Sequence, residues 1–397
     1  MVGEFRPARG HGVRGRYRET VGQLFLHCRE TENSMSKIYT STINIALLST
    51  CLICACRTGR PDDASSVMQK TLVVIDSIGV VSGDTDLMLG KVIGACFVSS
   101  GGIVIADGMY QDLRLFTGNG IFVMRANHTG SSPLEYMYIG GIVPYMDGFV
   151  LYEDYIRHYI FYDTLLTPVV SIYPPRTRPF EQFHVMPDSS YLTWDMSFAA
   201  NSNRPTLTGN LSRFDKDSTD ASVVFHSIQQ TASNPEDLFA LYVGKPASAV
   251  DNDGRVYLAC SGVHNAVAVF APDGTLIDTL MNPREPGLRE SLEIEEELLW
   301  RRAQYRVIGD WRPDPQELDV ISINIQGSQG RVWVQHTSYF HPEFDVYRLD
   351  GTLEFTCTVN GLPCDEIMVF SINDDGILAW SPYPKDCARV YILSLSE

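Results

Sequence analysis

Ala247-Ser248-Ala249-Val250-Asp251-Asn252-Asp253-Gly254-Arg255-Val256-Tyr257-Leu258-Ala259 reads as an apolar strand, an Asp-Gly turn and a second apolar strand. After a polar gap, Val267-Ala268-Val269-Phe270 forms a third strand that leads into Asp273-Gly274. Short β-branched and aromatic runs bounded by Asp, Asn and Gly are strand and turn chemistry. The fold of the chain turns on whether this phrase is unique or repeated.

It is repeated, at intervals of about 40–60 residues. Upstream, Val92 to Val98, Gly101-Gly102 and Ile103 to Ala106 form one unit, with Asp107 after it; Tyr138 to Tyr145, Asp147-Gly148 and Phe149 to Tyr152 form a second, followed by Glu153 and Asp154. The third and least regular unit reads Gln182 to Met186, Asp188-Ser189 and Tyr191 to Trp194, then Asp195. Downstream lie Val320 to Ile325 with Arg331 to Gln335, and Ile367 to Ile372 with Ile377 to Trp380. Third strands recur at Leu113 to Phe116, Ile156 to Tyr162, Asp345 to Leu349 and Arg389 to Leu395.

A four-stranded meander cannot bury both of its faces alone, and radial stacking of such units solves that problem. The expected fold is all-β: a six-bladed β-propeller over residues 71–397. The sixth unit ends at Glu397 after three strands, and the N-terminal strand Thr71 to Val81 is expected to close that last blade and remove its open edge. One helical insertion, Pro286 to Ala303, falls between blades four and five. Acids come early in it and Arg301 and Arg302 late, as the helix dipole favours. Leu288, Leu292 and Leu299 at helical spacing imply a side packed on a blade edge or the disc face, with a lid or docking helix as the other reading.

The N-terminal region has a different character. Residues 1–34 carry six arginines and read as an over-called extension ahead of a start at Met35, or as a long basic leader. From Met35, Lys37 precedes an apolar run from Ile43 to Ala55, the layout of a secretory signal. Leu52-Ile53-Cys54-Ala55-Cys56 resembles a bacterial lipobox, which implies a lipoprotein-type signal over 35–56 and lipidation at Cys56; an ordinary cleaved signal, and hence a secreted protein, is the alternative. Residues 57–70, with Gly59, Pro61 and Asp62, read as a linker.

The 397 residues carry a net charge of −17. Residues 1–56 hold seven basic and four acidic residues, so the rest has 24 basic against 44 acidic, a net of −20. Such a body is repelled by nucleic acid and by anionic lipid, so nucleic acid is excluded as a partner and the membrane is met only through the anchor. Five cysteines follow Cys56, an odd number that leaves at least one free thiol; Cys364 and Cys387 flank the last unit and could pair, which the sequence leaves open.

No Gly-x-Ser-x-Gly elbow, phosphate loop or His-Glu-x-x-His helix occurs. His336 and His341 lie close in sequence without a carboxylate or Cys at ligand spacing beside both, and Asp251-Asn252-Asp253-Gly254 is better explained by a turn than by a calcium loop. Carboxylates do recur where innermost strands begin: Glu135, Glu181, Asp319, Asp365 and Glu366. By symmetry they would ring one mouth of the central channel and bind a cation, with Lys91 and Lys245 at the corresponding places of two other units. The competing reading is that each caps its own loop.

Gly130-Ser131-Ser132-Pro133-Leu134-Glu135-Tyr136 matches a Gly-Pro-Gly-Glu-Phe-like blade motif in its Pro, Glu and aromatic. With Val256-Tyr257-Leu258 and Val332-Trp333-Val334, it resembles the bacterial six-bladed propellers related to the NHL-repeat and TolB-like group. The resemblance implies a lipid-anchored protein on the periplasmic side of the cell envelope that binds an envelope protein or a small ligand without catalysis and without a cofactor. The alternative it implies is a metal-dependent lactonase- or lyase-like enzyme whose channel carboxylates hold a divalent cation.

Overall fold

The computed structural model describes residues 67–396 apart from 154–157, 174–182, 202–203, 216–217, 219, 232–245, 260–265, 282–287, 305–317 and 338. These belong to the compact unit Ser66–Glu397. The predicted extension, the signal with Cys56, and most of the linker lie outside the described residues.

The first strand, β1 (Met68–Ile78), starts inside the stretch read as linker. The first unit follows as β2 (Val92–Phe97), β3 (Ile103–Asp107), β4 (Asp112–Phe116) and β5 (Phe122–Ala126), and the second as β6 (Ile139–Tyr145), β7 (Gly148–Glu153), β8 (His158–Tyr162) and β9 (Pro168–Ile172). The third is β10 (Phe183–Val185), β11 (Tyr191–Asn201), β12 (Arg204–Phe214) and β13 (Ala221–Thr231); the fourth is β14 (Ser248–Val250), β15 (Val256–Ala259), β16 (Ala266–Phe270) and β17 (Leu276–Met281). Helix α1 (Ser291–Gln304) comes next, then β18 (Leu318–Gln326), β19 (Arg331–Thr337), β20 (Pro342–Arg348) and β21 (Leu353–Asn360). The chain closes with β22 (Val369–Asn373), β23 (Gly376–Trp380) and β24 (Val390–Ser396).

Each of the first four units is a separate four-stranded sheet in chain order. The remaining strands form one eight-stranded sheet, β18-β19-β20-β21-β1-β24-β23-β22. The difference from six separate sheets has one cause. β1 pairs antiparallel with β24, as expected, and its first half also pairs parallel with β21, Met68 opposite Phe355 through Val73 opposite Asn360. A strand bonded along both edges fuses the sheets it joins.

The core lies in the gaps between neighbouring units. Successive side chains of a strand point to opposite faces, and β3 shows the consequence. Ile103 and Ile105 pack with Leu378 and Trp380 of the last unit, while Val104 and Ala106 pack with Phe149 and Leu151 of the second. Equivalent clusters join Tyr159 to Phe183 and Tyr191, Leu192 and Trp194 to Val256 and Leu258, Tyr257 to Val332 and Val334, and Trp333 to Phe370 and Leu393. Burying both faces makes these strands continuous apolar runs, each such side chain contributing about 1.5–3 kcal/mol. Contacts between first strands run from β2 to β6, β10, β14, β18 and β22, and return to β2. The arrangement is a β-propeller.

Turns between first and second strands meet their neighbours. Ser99 Oγ donates to the Asp147 carbonyl at 3.0 Å, Asn373 Nδ2 to the Phe97 carbonyl at 3.2 Å, and the Ser328 N–H to Asp374 Oδ1 at 2.8 Å. These short turns therefore share one end of the molecule. Antiparallel alternation sends the longer connections, 79–91, 127–138, 361–368 and 381–389, to the other end, where α1 also packs.

The helix begins at Ser291, later than Pro286, with the Glu290 carbonyl accepting the Ile294 N–H at 3.1 Å. Leu288, Leu292 and Leu299 are exposed, contrary to the packed side their spacing implied. The helix is instead seated through Arg289, Glu293, Glu297 and Leu298, all buried.

Candidate functional site

At the long-loop end, a carboxylate finishing the second strand pins the approach to the innermost strand. Asp107, last in β3 and fully buried, accepts backbone N–H bonds from Gly90 at 2.7 Å, Lys91 at 3.1 Å, Met109 at 2.9 Å and Tyr110 at 3.3 Å. Glu153, last in β7, does the same for Met137 and Tyr138, both at 3.2 Å. Arg114 backs the first of these. Its guanidinium reaches Asp112 at 3.0 Å and Asp107 at 3.4 Å, and donates to the carbonyls of Thr85, Asp86 and Met88. Charged groups this deep are tolerated only when paired and hydrogen-bonded. The sequence signal was present, since Asp107 and Glu153 each follow a second strand, but the donors they hold come from other segments.

This scaffold shapes a cleft of about 410 Å³ between the first unit and the last. One wall is the 79–91 connection with Val81, Met88 and Lys91, joined by Met109 and Tyr110; Pro382, Tyr383, Asp386 and Cys387 form the other. Gly90 is required here, because a Cβ at that position would stand 2.6 Å from the Met109 Cβ. The Lys91 ammonium lies 4.7 Å from the centre of the Tyr383 ring. Such a cation–π contact orients the cation without neutralising it. Among the described residues Lys91 has no carboxylate within salt-bridge distance. On the far wall Arg389 Nε donates to Cys387 Sγ at 3.2 Å; Cys364 and Cys387 are both free thiols.

The carboxylates expected at the channel mouth have the following surroundings. Glu181 lies outside the described residues, and Asp319 falls within β18. Glu135 accepts the Ser132 N–H at 2.9 Å, and this bonding holds its carboxyl below the ordinary range. Asp365 and Glu366 come together at Lys385: Asp365 takes its ammonium at 3.1 Å and Glu366 its backbone N–H at 3.0 Å. The Asp365 bond, with Glu296 of α1 at 3.3 Å, raises the Lys385 pKa. Glu135 and the Asp365–Glu366 pair thus serve two different connections. Among the described residues no group of three or more His, Cys, Asp or Glu is placed to hold a metal ion.

His336 is buried 3.0 Å from Asp345, and His341 lies 3.4 Å from Glu290, so the two histidines face different partners. Asp251 is a turn residue: it accepts the N–H groups of Asp253 and Arg255 at 2.9 Å each and takes the Arg255 guanidinium at 2.7 Å. No helix among the described residues is long and apolar enough to cross a membrane.

No protein-family model matches the chain, and no curated protein does. Solved structures with similarity include a protein of Bacteroides fragilis described as exported, at 10% identity and a TM-score of 0.47, covering 85% of this chain and 98% of that one. A member of the DUF4221 family from Bacteroides vulgatus has 10% identity and a TM-score of 0.47, over 83% and 99% of the two chains. Virginiamycin B lyase from Staphylococcus aureus has 12% identity and a TM-score of 0.40, over 82% and 100%. The propeller assignment rests on the strand pairing and inter-unit packing described above.

Proposed function

We propose that this protein is a six-bladed, lipid-anchored propeller of the cell envelope that binds a small ligand without catalysis. The blade count is supported by the closed series of first-strand contacts and by core clusters in every gap between successive units. In this reading the fused sheet is blades five and six joined by β1. The signal and lipobox pattern ending at Cys56 supports the anchor. The ligand occupies the cleft between the first and last blades, and it carries an apolar or aromatic body and a carboxylate.

One observation carries this choice. Lys91 is a cation held against an aromatic face in a mainly apolar cleft, within a protein whose net charge is −17. Asp386 also lines the cleft, so recognition of a carboxylate falls to the oriented Lys91 ammonium, with the apolar walls taking the rest of the ligand. Calorimetric titration of the purified protein with indole-3-acetate and 3-phenylpropionate, and with their amides, tests it. The acids are expected to bind and the amides to bind about tenfold more weakly, with Lys91→Gln abolishing that preference. Equal binding of acid and amide would sink the reading. Elemental analysis of the same protein, dialysed without chelator, addresses the channel enzyme. A stoichiometric divalent metal lost in Glu135→Gln or Glu366→Gln would favour the channel enzyme and call for lactone and lyase assays.

A further inference from the structure

Among the described residues, two charged side chains line the cleft between the first and last units, and they have opposite sign. Lys91 stands on one wall and Asp386 on the other. Opposite charges sharing a cleft of about 410 Å³ would ordinarily pair, yet these two are beyond salt-bridge distance. Lys91 is turned to the Tyr383 ring, 4.7 Å from its centre. Asp386 is exposed and has no ion pair among the described residues. The bases beside it are engaged elsewhere. Lys385 gives its ammonium to Asp365 and Glu296. Arg389 donates its Nε to Cys387 Sγ, and its pKa is raised chiefly by Cys387, with Asp386 a smaller influence. Asp386 is also held in place. Glu366 accepts the Lys385 N–H at 3.0 Å on one side of it, and Ala388 bridges to Leu89 on the other. A carboxylate carried on backbone anchored at both ends has little freedom left to lose when a ligand arrives. Between the two charges the lining is mainly apolar, with Val81, Met88, Met109 and Pro382.

We propose that the ligand of this cleft is a zwitterion, a free amino acid or a dipeptide with an apolar side chain. Its carboxylate meets Lys91, its ammonium meets Asp386, and its side chain lies against the apolar lining. This deepens the carboxylate-binding reading above and rests on it. The two walls select by charge. A ligand with a second carboxylate would meet Asp386, and a simple cation would meet Lys91, each a like-charge contact. A zwitterion has no net charge, so the −17 of the protein as a whole does not repel it.

The test is calorimetric titration of the full protein at physiological salt. L-phenylalanine is compared with 3-phenylpropionate, and L-alanyl-L-phenylalanine with its N-acetyl derivative, so each pair differs at the ammonium. In at least one pair the zwitterion is expected to bind about fivefold more tightly, and the pair that shows it gives the length of the ligand. Asp386→Asn should remove that gain and keep the preference of 3-phenylpropionate over its amide, whereas Lys91→Gln should remove that preference. Asp386 is exposed, and unchanged thermal melting shows that its variant folds. No gain in either pair, or a gain that survives in Asp386→Asn, overturns the proposal; if 3-phenylpropionate still binds better than its amide, the carboxylate reading stands without it. Phenethylamine binding as tightly as phenylalanine also overturns it, since the cleft would then take a cation alone. Absence of binding by all of these ligands removes both readings.

Discussion

The buried Asp107 carboxylate gathers four backbone N–H groups and the Arg114 guanidinium. Replacing it by Ala leaves the buried Arg114 guanidinium with Asp112 and three carbonyls, and takes the acceptor from four backbone donors. Asp107→Ala should therefore lower the unfolding free energy by about 3–5 kcal/mol, read from urea midpoints. A loss below about 1 kcal/mol would mean that the loop end is held by other contacts. His184 on β10 behaves differently. Burial lowers its pKa to about 4, although Ser248 Oγ lies 3.1 Å from its Nε2. The unfolded chain then takes up the proton first as pH falls. This contribution to stability is complete above the ordinary pKa of about 6.5 and is lost as pH drops towards 4. For a half-buried ring it is about 2 kcal/mol. Urea melts across that window should show the slope in wild type and a shallower one in His184→Gln.

Turn chemistry made most strands legible, and its exceptions mark where reading failed. Gly120, Gly274 and Gly351 hold positive φ at the turn from third to fourth strand. In the second unit Leu166 takes that place at φ 59°, with its side chain buried, so the turn into β9 carries no glycine signal. The second strand of the third unit is expected to end at Trp194, yet β11 pairs with β12 as far as Asn201 opposite Arg204. Asp195 looked like a terminal acid but lies inside a ladder opposite Asn210. For α1, spacing showed which leucines share a face but not which face turns inward. Arg289→Ala is expected to leave Glu293 and Glu297 buried without their cation and to raise amide exchange over residues 291–304 at least tenfold. Unchanged exchange there would show that the aromatic and Lys385 contacts hold the helix without the ion pairs.

For the molecule as a whole, closure depends on β1. It covers the edges of β24 and β21 at once and places Leu72, fully buried, among Trp333, Phe344 and Leu393. Deleting residues 68–78 opens both edges and that cluster. The truncated protein should lose its single cooperative thermal transition and aggregate, as light scattering during the melt would show. A transition at the wild-type temperature would remove β1 from its closing role.

Repetition, strand alternation and the leftover N-terminal strand were readable from residues 71–397, because alternation and turn residues act over a few positions of chain. The same local logic identified Glu135, Asp365 and Glu366 as carboxylates at strand entries. Their partners, Ser132 for one and Lys385 for the others, depend on how each loop folds back. The cleft is further still from local pattern: Lys91 meets Tyr383 because the first and last units are brought side by side by closure. Closure likewise sets the outward turn of Leu292 and Leu299, since the charged side of α1 finds Tyr339 and Lys385 on two later units. Short-range chemistry writes the strands, and long-range pairing selects which side chains become neighbours.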